Sequence, residues 1–176
     1  VDAYKRNELD VNSGLGIYAL SAIIVDKAEP SEALKANVAW SMGLENLTYL
    51  VSSLQLNNFR KGQSIHQEED VKAEKGAYFL STNLDLYANT TSEWTIVADV
   101  NQSQSDVVSL IDAIHNQKNL KTKIDTDIAL GSKLLIELNS ASDGIQLSAD
   151  VFRDTRHFAN TLFNIMRGGI FDFNYQ

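Results

Sequence analysis

The hydrophobic period of this 176-residue chain changes near Val100, from about two to about 3.6. A period of two buries one face of a pleated strand, whereas 3.6 buries one stripe of a helix, so the two parts must fold differently. Before the change, residues 17–25 are almost continuously apolar and rich in branched side chains, between glycines and an Asp26 to Pro30 turn. Ala36, Val38, Trp40 and Met42 alternate with Asn37, Ala39 and Ser41, which predicts a strand with one buried face and an indole anchor. Residues 47–54 make a third strand. Tyr78, Leu80, Thr82, Leu84 and Leu86 alternate with Phe79, Ser81, Asn83 and Asp85, and Trp94, Ile96, Ala98 and Val100 resume that pattern after a polar turn. These last two runs predict an antiparallel hairpin. The stretch 57–75 is polar, with Glu68, Glu69 and Asp70 together, and reads as an exposed loop whose carboxylates are solvated rather than ligating.

Beyond Val100 the helices begin. Ser103 with Asp106 three residues on forms a capping box with Asp in place of Glu. Val107, Leu110, Ile111 and Ile114 then make one apolar stripe, and Leu120, Ile124, Ile128, Leu135 and Leu138 a second. Gly131 is either a close-packing point or a weak spot in that second helix. Residues 140–146, with Asp143-Gly144, form a turn, and Ser148 is placed to cap a third helix over 149–167. The stripes keep no strict heptad, which favours packing within the chain; a two-helix module forming a homodimer is the alternative. The expected fold is therefore α+β: an antiparallel β-sandwich-like portion over 1–102, linker helices over 103–147, and a polar-faced helix and turn over 148–176. Strands and helices do not alternate, which excludes a Rossmann-like sheet.

A net charge of −8 with no clustered Lys or Arg disfavours nucleic acid as a partner. The absence of cysteine removes disulfides, thiolate metal sites and cysteine nucleophiles, and fits a reducing compartment, with the cytoplasm the expected location. The longest apolar stretch, 17–25, is nine residues and contains Ser21, too short to span a bilayer. His66, His115 and His157 are too scattered for a metal signature, and no cofactor motif occurs.

The polar chemistry concentrates in 154–176. Arg153, His157, Asn160, Asn164 and Arg167 follow one another at intervals of four, three, four and three residues, so they line one face of the last helix. Amides between a histidine and an arginine donate and accept hydrogen bonds without charge, which suits a neutral polyhydroxylated ligand. The competing reading is a buried network between domains, with Arg167 paired to Asp172 or to a carboxylate outside these residues. Gly168 and Gly169 end the helix, and Ile170, Phe171 and Phe173 dock after the turn. Tyr18, Trp40, Tyr49, Tyr78 and Trp94 lie inside alternating runs, so core packing is expected ahead of sugar stacking. Asp99 and Asp172 sit beside special local structure, yet neither has a partner at a spacing diagnostic of an acid and nucleophile pair.

Three stretches, AEPSEALKANVAWSMGL at 28–44, KGAYFLSTNLDLYANTTSEWTIVADVNQ at 75–102 and RHFANTLFNIMRGGIF at 156–171, together resemble the cellobiose phosphorylase group of carbohydrate-active enzymes. That resemblance implies an amino-terminal β-sandwich joined by linker helices to an (α/α)₆ barrel that cleaves or phosphorolyses β-linked glucosides. The expected partners are then the remainder of a parent chain with its helical catalytic domain, a β-glucoside and phosphate. The catalytic acid of the group matches no residue here, so the 176 residues are expected to be inactive alone. Arg156, His157, Asn160, Asn164, Arg167 and Asp172 become candidates for a domain junction or an outer sugar contact. A non-enzymatic carbohydrate-binding or structural β-sandwich module is the competing class.

Overall fold

The computed structural model describes residues 2–20, 35–116 and 119–168. Contacts divide the chain into two units, Val1–Lys118 and Asn119–Gln176.

The first unit holds seven described strands and two helices. After a 3-10 turn at Asp2–Tyr4 come β1 (Lys5–Asp10), β2 (Leu15–Leu20), β3 (Ala36–Met42) and β4 (Thr48–Ser52). Then follow α1 (Leu56–Arg60), β5 (Asp70–Lys72), β6 (Gly76–Ser81), β7 (Thr95–Gln102) and α2 (Gln104–Asn116). A five-stranded sheet runs β5-β1-β2-β3-β7, and β4 pairs with β6 in a second sheet. All pairings are antiparallel.

The strand β1 has no apolar alternation to announce it, since it reads KRNELD. It forms because Leu9 and Asn7 are its inward residues, and the Asn7 amide, 2 % exposed, donates to the Glu74 carbonyl at 3.1 Å. A buried amide so paired avoids the penalty that would otherwise keep it in water. The turn into β2 is fixed by Asp10, whose carboxylate accepts the Ser13 N–H at 2.9 Å, and by Gly14 at φ 71°. A side chain at Gly14 would meet the Tyr49 hydroxyl, so this position requires glycine on both grounds.

Expected strands at 36–42 and 47–54 correspond to β3 and β4, and Val38 and Trp40 are buried on one face of β3. Of the expected strand at 17–25, residues 21–25 lie outside the described residues. The expected hairpin between 78–86 and 94–100 does not form. Strand β6 stops at Ser81 and pairs with β4, while β7 pairs with β3, Trp40 opposite Val97. Alternation reports a buried face but not the strand that lies alongside it. Past Ser81 the Thr82 hydroxyl donates to the Glu45 carbonyl at 2.7 Å, and Leu84 and Leu86 are exposed.

The stretch 57–75 is not simply an exposed loop, since it contains most of α1 and all of β5. The capping box is present in full. The Ser103 N–H donates to Asp106 at 2.8 Å and the Asp106 N–H to the Ser103 hydroxyl oxygen at 3.3 Å. In α2, Ile114 is buried and Val107, Leu110 and Ile111 are half-buried, as the stripe predicts.

The second unit holds α3 (Leu120–Ala141) and α4 (Val151–Met166). The α3 stripe is not packed along its length: Leu120 is buried and Ile124 half-buried, but Ile128, Leu135 and Leu138 are exposed. Nothing lies within 4 Å of a side chain built at Gly131, so it is a weak spot and not a packing point. The helices are tied near their junction by Asn139, fully buried, whose amide donates to the Phe158 carbonyl at 3.0 Å. Ser148 does not cap α4. Asp150 does, accepting the Arg153 N–H at 3.1 Å, and Ser148 donates its N–H and hydroxyl to Asp154, each at 2.7 Å. The chain is thus α+β, a β-sheet portion followed by helices.

Candidate functional site

Two places gather chemistry, one in each unit. On α4, the expected face is built on regular helix from Val151 to Met166, with Arg167 at its C-cap, and Gly168, at φ 85°, ends it by donating to the Ile165 carbonyl at 2.9 Å. Its residues have different duties. The His157 ring donates from Nε2 to the Asp143 carbonyl at 2.7 Å, which carries the proton to that nitrogen and ties α4 to the preceding turn. Arg156 donates from Nε to the Phe152 carbonyl at 3.3 Å, one turn back on its own helix. The Arg167 guanidinium lies 5.4 Å from the centre of the Phe163 ring, a cation–π contact. Asn160 and Asn164 are exposed. Asp172, expected to pair with Arg167, lies outside the described residues, as do Gly169, Ile170, Phe171 and Phe173.

Hydrogen bonds from the Ser148 N–H and hydroxyl hold the Asp154 carboxyl below its ordinary range, and the charges of Arg153 and His157 act in the same direction. Asp154 is thus a buttress for the start of α4, held as carboxylate, and is unsuited to donate a proton near neutrality.

The second place is a cavity of about 790 Å³ against the five-stranded sheet, at the end where β1 and β3 begin and β2 and β7 finish. Register puts its floor together: Asn7 is opposite Tyr18, and Tyr18 opposite Asn37, so all three side chains leave the same face. Gly76, Ala77 and Tyr78 of β6 line another side, and Lys5, Lys35, Asp99 and Asn101 also border it. A side chain at Gly76 would collide with the Tyr18 ring and the Asn7 amide oxygen, so glycine lets β6 approach β1 and β2 closely.

Both tyrosines are held by backbone carbonyls. The Tyr18 hydroxyl donates to Ala77 at 2.9 Å and the Tyr78 hydroxyl to Gly14 at 2.7 Å, so each phenol links the five-stranded sheet or its turn to β6. Burial pushes the Tyr78 phenol up to about 12 against a lowering hydrogen bond with Ser41, and burial raises Tyr18 further, with smaller contributions from Tyr78 and Glu68. Tyr49 is raised as well, chiefly by burial, and its ring centre lies 6.1 Å from that of Tyr78.

The aromatic residues expected in the core divide. Trp40 is 4 % exposed, the three tyrosines are half-buried, and Trp94, at 51 % exposure, stands outside the core. Asp99 borders the cavity and accepts the Val100 N–H at 2.7 Å. Glu68, expected to be solvated, is 8 % exposed and hydrogen-bonded to Ser52 and Gln55; Asp70 pairs with Arg6 on the adjacent strand at 3.2 Å. Among the described residues no group of three or more His, Asp or Glu is placed to hold a metal ion, and no helix is long and apolar enough to cross a membrane. Sequence reasoning missed Asn7 and Asn37 as cavity residues. The available signal was an amide at an inward or central strand position, where polar residues are uncommon without a reason.

The chain matches no protein-family model, and no curated protein matches it by sequence.

Proposed function

We propose that this chain is the non-catalytic β-rich and linker portion of a larger carbohydrate-active enzyme acting on β-linked glucosides, by phosphorolysis or hydrolysis. In this reading the two sheets bridged by Tyr18 and Tyr78 are the sandwich-like part, α2 and α3 the linker, and α4 the lead into a helical catalytic domain. The observation that carries it is the apolar surface of α3. Ile128, Leu130, Leu134, Leu135 and Ile136 are all exposed, at positions spread around the helix and not along one stripe. A helix apolar on several sides belongs inside a helical assembly. Phe152, Phe163 and Met166 on α4 extend the same need. The carbohydrate class comes from the resemblance at 28–44, 75–102 and 156–171, and the exposed amides of Asn160 and Asn164 suit an outer sugar contact or a domain seam. A cytoplasmic location accompanies this proposal.

The test compares this chain with its parent protein on β-linked glucose disaccharides, with and without phosphate. The expected result is sugar release by the parent and none by the 176 residues. Turnover by the isolated chain would overturn the non-catalytic role, and a parent that neither acts on nor binds any sugar would overturn the carbohydrate class. A non-enzymatic carbohydrate-binding module is the second reading, favoured by the cavity in the first unit.

A further inference from the structure

We infer that the cavity beside β1, β2 and β3 is a binding site for a small neutral saccharide, built entirely within the first unit. Its volume, about 790 Å³, falls within the roughly 300–1,000 Å³ typical of small-molecule sites. Its floor is rigid before any ligand arrives. Asn7 is buried and tied to the Glu74 carbonyl, and the Tyr18 and Tyr78 hydroxyls are committed to backbone carbonyls. Side chains already fixed lose little freedom on binding, which favours affinity.

The polar complement selects the ligand. Asn37 and Asn101 bring amides, which donate and accept, to a wall otherwise carrying aromatic rings and small apolar side chains; the Asn37 amide oxygen also accepts the Asn101 N–H at 3.3 Å. A sugar hydroxyl also donates and accepts, whereas a phosphate or carboxylate accepts only. The rim carries charges of both signs. Lys5 and Lys35 border the cavity together with Asp99, and Lys5 has an interaction of its own within the chain. Charges of both signs at the rim give no single-sign field that would select an ion, and a neutral polyol fits the amide-bearing wall. The choice of a saccharide among polyols rests on the carbohydrate reading above.

The experiment is a titration of the isotopically labelled 176-residue chain with cellobiose, followed by amide resonances, with glucose 1-phosphate as the charged comparison. Tyr18, Asn37 and Asn101 resonances should move with cellobiose. Ala98→Trp fills the cavity from β7, where Ala98 faces Ala39, and should weaken binding about tenfold or more. Asn37→Ala, at an exposed position that leaves the core intact, should weaken it several-fold. Unmoved resonances at these residues, or binding undiminished in both variants while circular dichroism shows them folded, would overturn the site. Tighter binding of glucose 1-phosphate than of cellobiose would overturn the neutral class. Binding here with an inactive parent protein would sink the enzymatic reading and leave this one standing.

Discussion

Glu68 holds Ser52 by both of its donors: its carboxylate oxygen accepts the Ser52 N–H at 2.8 Å and the Ser52 hydroxyl at 2.9 Å. The other carboxylate oxygen accepts from Gln55 at 2.9 Å, and Gln55 in turn clasps the His66 backbone by N–H and carbonyl. One buried acid thus closes the end of β4 and anchors the segment that returns to β5. It needs no cation, because three donors satisfy the charge.

Replacing Glu68 with alanine leaves the buried Ser52 N–H and hydroxyl without acceptors, and should destabilise the first unit by about 1–3 kcal/mol. Glu68→Gln keeps an acceptor for Ser52 but turns an amide N–H₂ toward the Gln55 donor, so its loss should be smaller. Urea midpoints with an unchanged denaturant slope would check both. An alanine variant as stable as the parent would return Glu68 to the surface role that its polar neighbours suggest.

Tyr78 and Tyr18 predict the alkaline limit of the first unit. Their folded-state pKa values are raised, Tyr78 to about 12, from the ordinary 10.0. The unfolded chain ionises first, so their stabilisation is complete below pH 10 and is lost as pH rises through the folded values. Phenolate absorbance should therefore appear together with loss of tertiary structure, not ahead of it. In Tyr78→Phe the hydrogen bond to Gly14 disappears, stability at neutral pH falls by about 1 kcal/mol, and the alkaline loss becomes shallower. Phenolate formation by both half-buried tyrosines in the fully folded protein would contradict this.

The acid side is set by carboxylates that accept hydrogen bonds at two helix starts. Asp154 and Asp106 have depressed pKa values, each held chiefly by a serine, Ser148 and Ser103 respectively. Their stabilisation is present above the ordinary carboxylate value of 3.8 and is lost as pH falls below it through the depressed folded values. Asp154→Asn should flatten the acid limb of helical unfolding in the second unit, and Asp106→Asn that of α2, both read by circular dichroism. An unchanged acid limb in both variants would remove these serine–carboxylate bonds as its cause.

What the sequence disclosed divides by distance along the chain. The Ser103–Asp106 box, the Gly168 stop and the strand around Trp40 are local signals, carried by residues a few positions apart, and each is found in place. The cap at α4 was local but expected at Ser148; Asp150 takes it, and Ser148 is instead engaged by Asp154. Strand β1 was hidden because its inward amide is paid for by Glu74, 67 residues away, and Glu68 because its serine is 16 residues back. Pairing of β6 with β4 and of β7 with β3 was hidden for the same reason. The cavity follows from those pairings, so its floor of Asn7, Tyr18 and Asn37 could not be assembled before the register was known.

The polar face of α4 can be separated experimentally into residues that hold the fold and residues that are available to a partner. His157 spends its Nε2 proton on the Asp143 carbonyl, so His157→Phe should destabilise the second unit by about 1 kcal/mol in the isolated chain. Asn160 and Asn164 are exposed, so changing both to alanine should alter the stability of the isolated chain by less than about 0.5 kcal/mol each. If α4 leads into a catalytic domain, that same double variant should lower sugar turnover or domain association in the parent protein, with no matching loss of stability in the isolated chain. Arg167, against Phe163, falls between the two: Arg167→Lys keeps the charge but loses the planar guanidinium, and, if α4 leads into such a domain, should affect the larger protein more than the isolated chain. Parallel thermal melts and turnover measurements on the same variants read the split directly. Equal losses in both assays for Asn160 and Asn164 would make this face structural throughout, and turnover unchanged by any of the substitutions would remove it from the function of the parent.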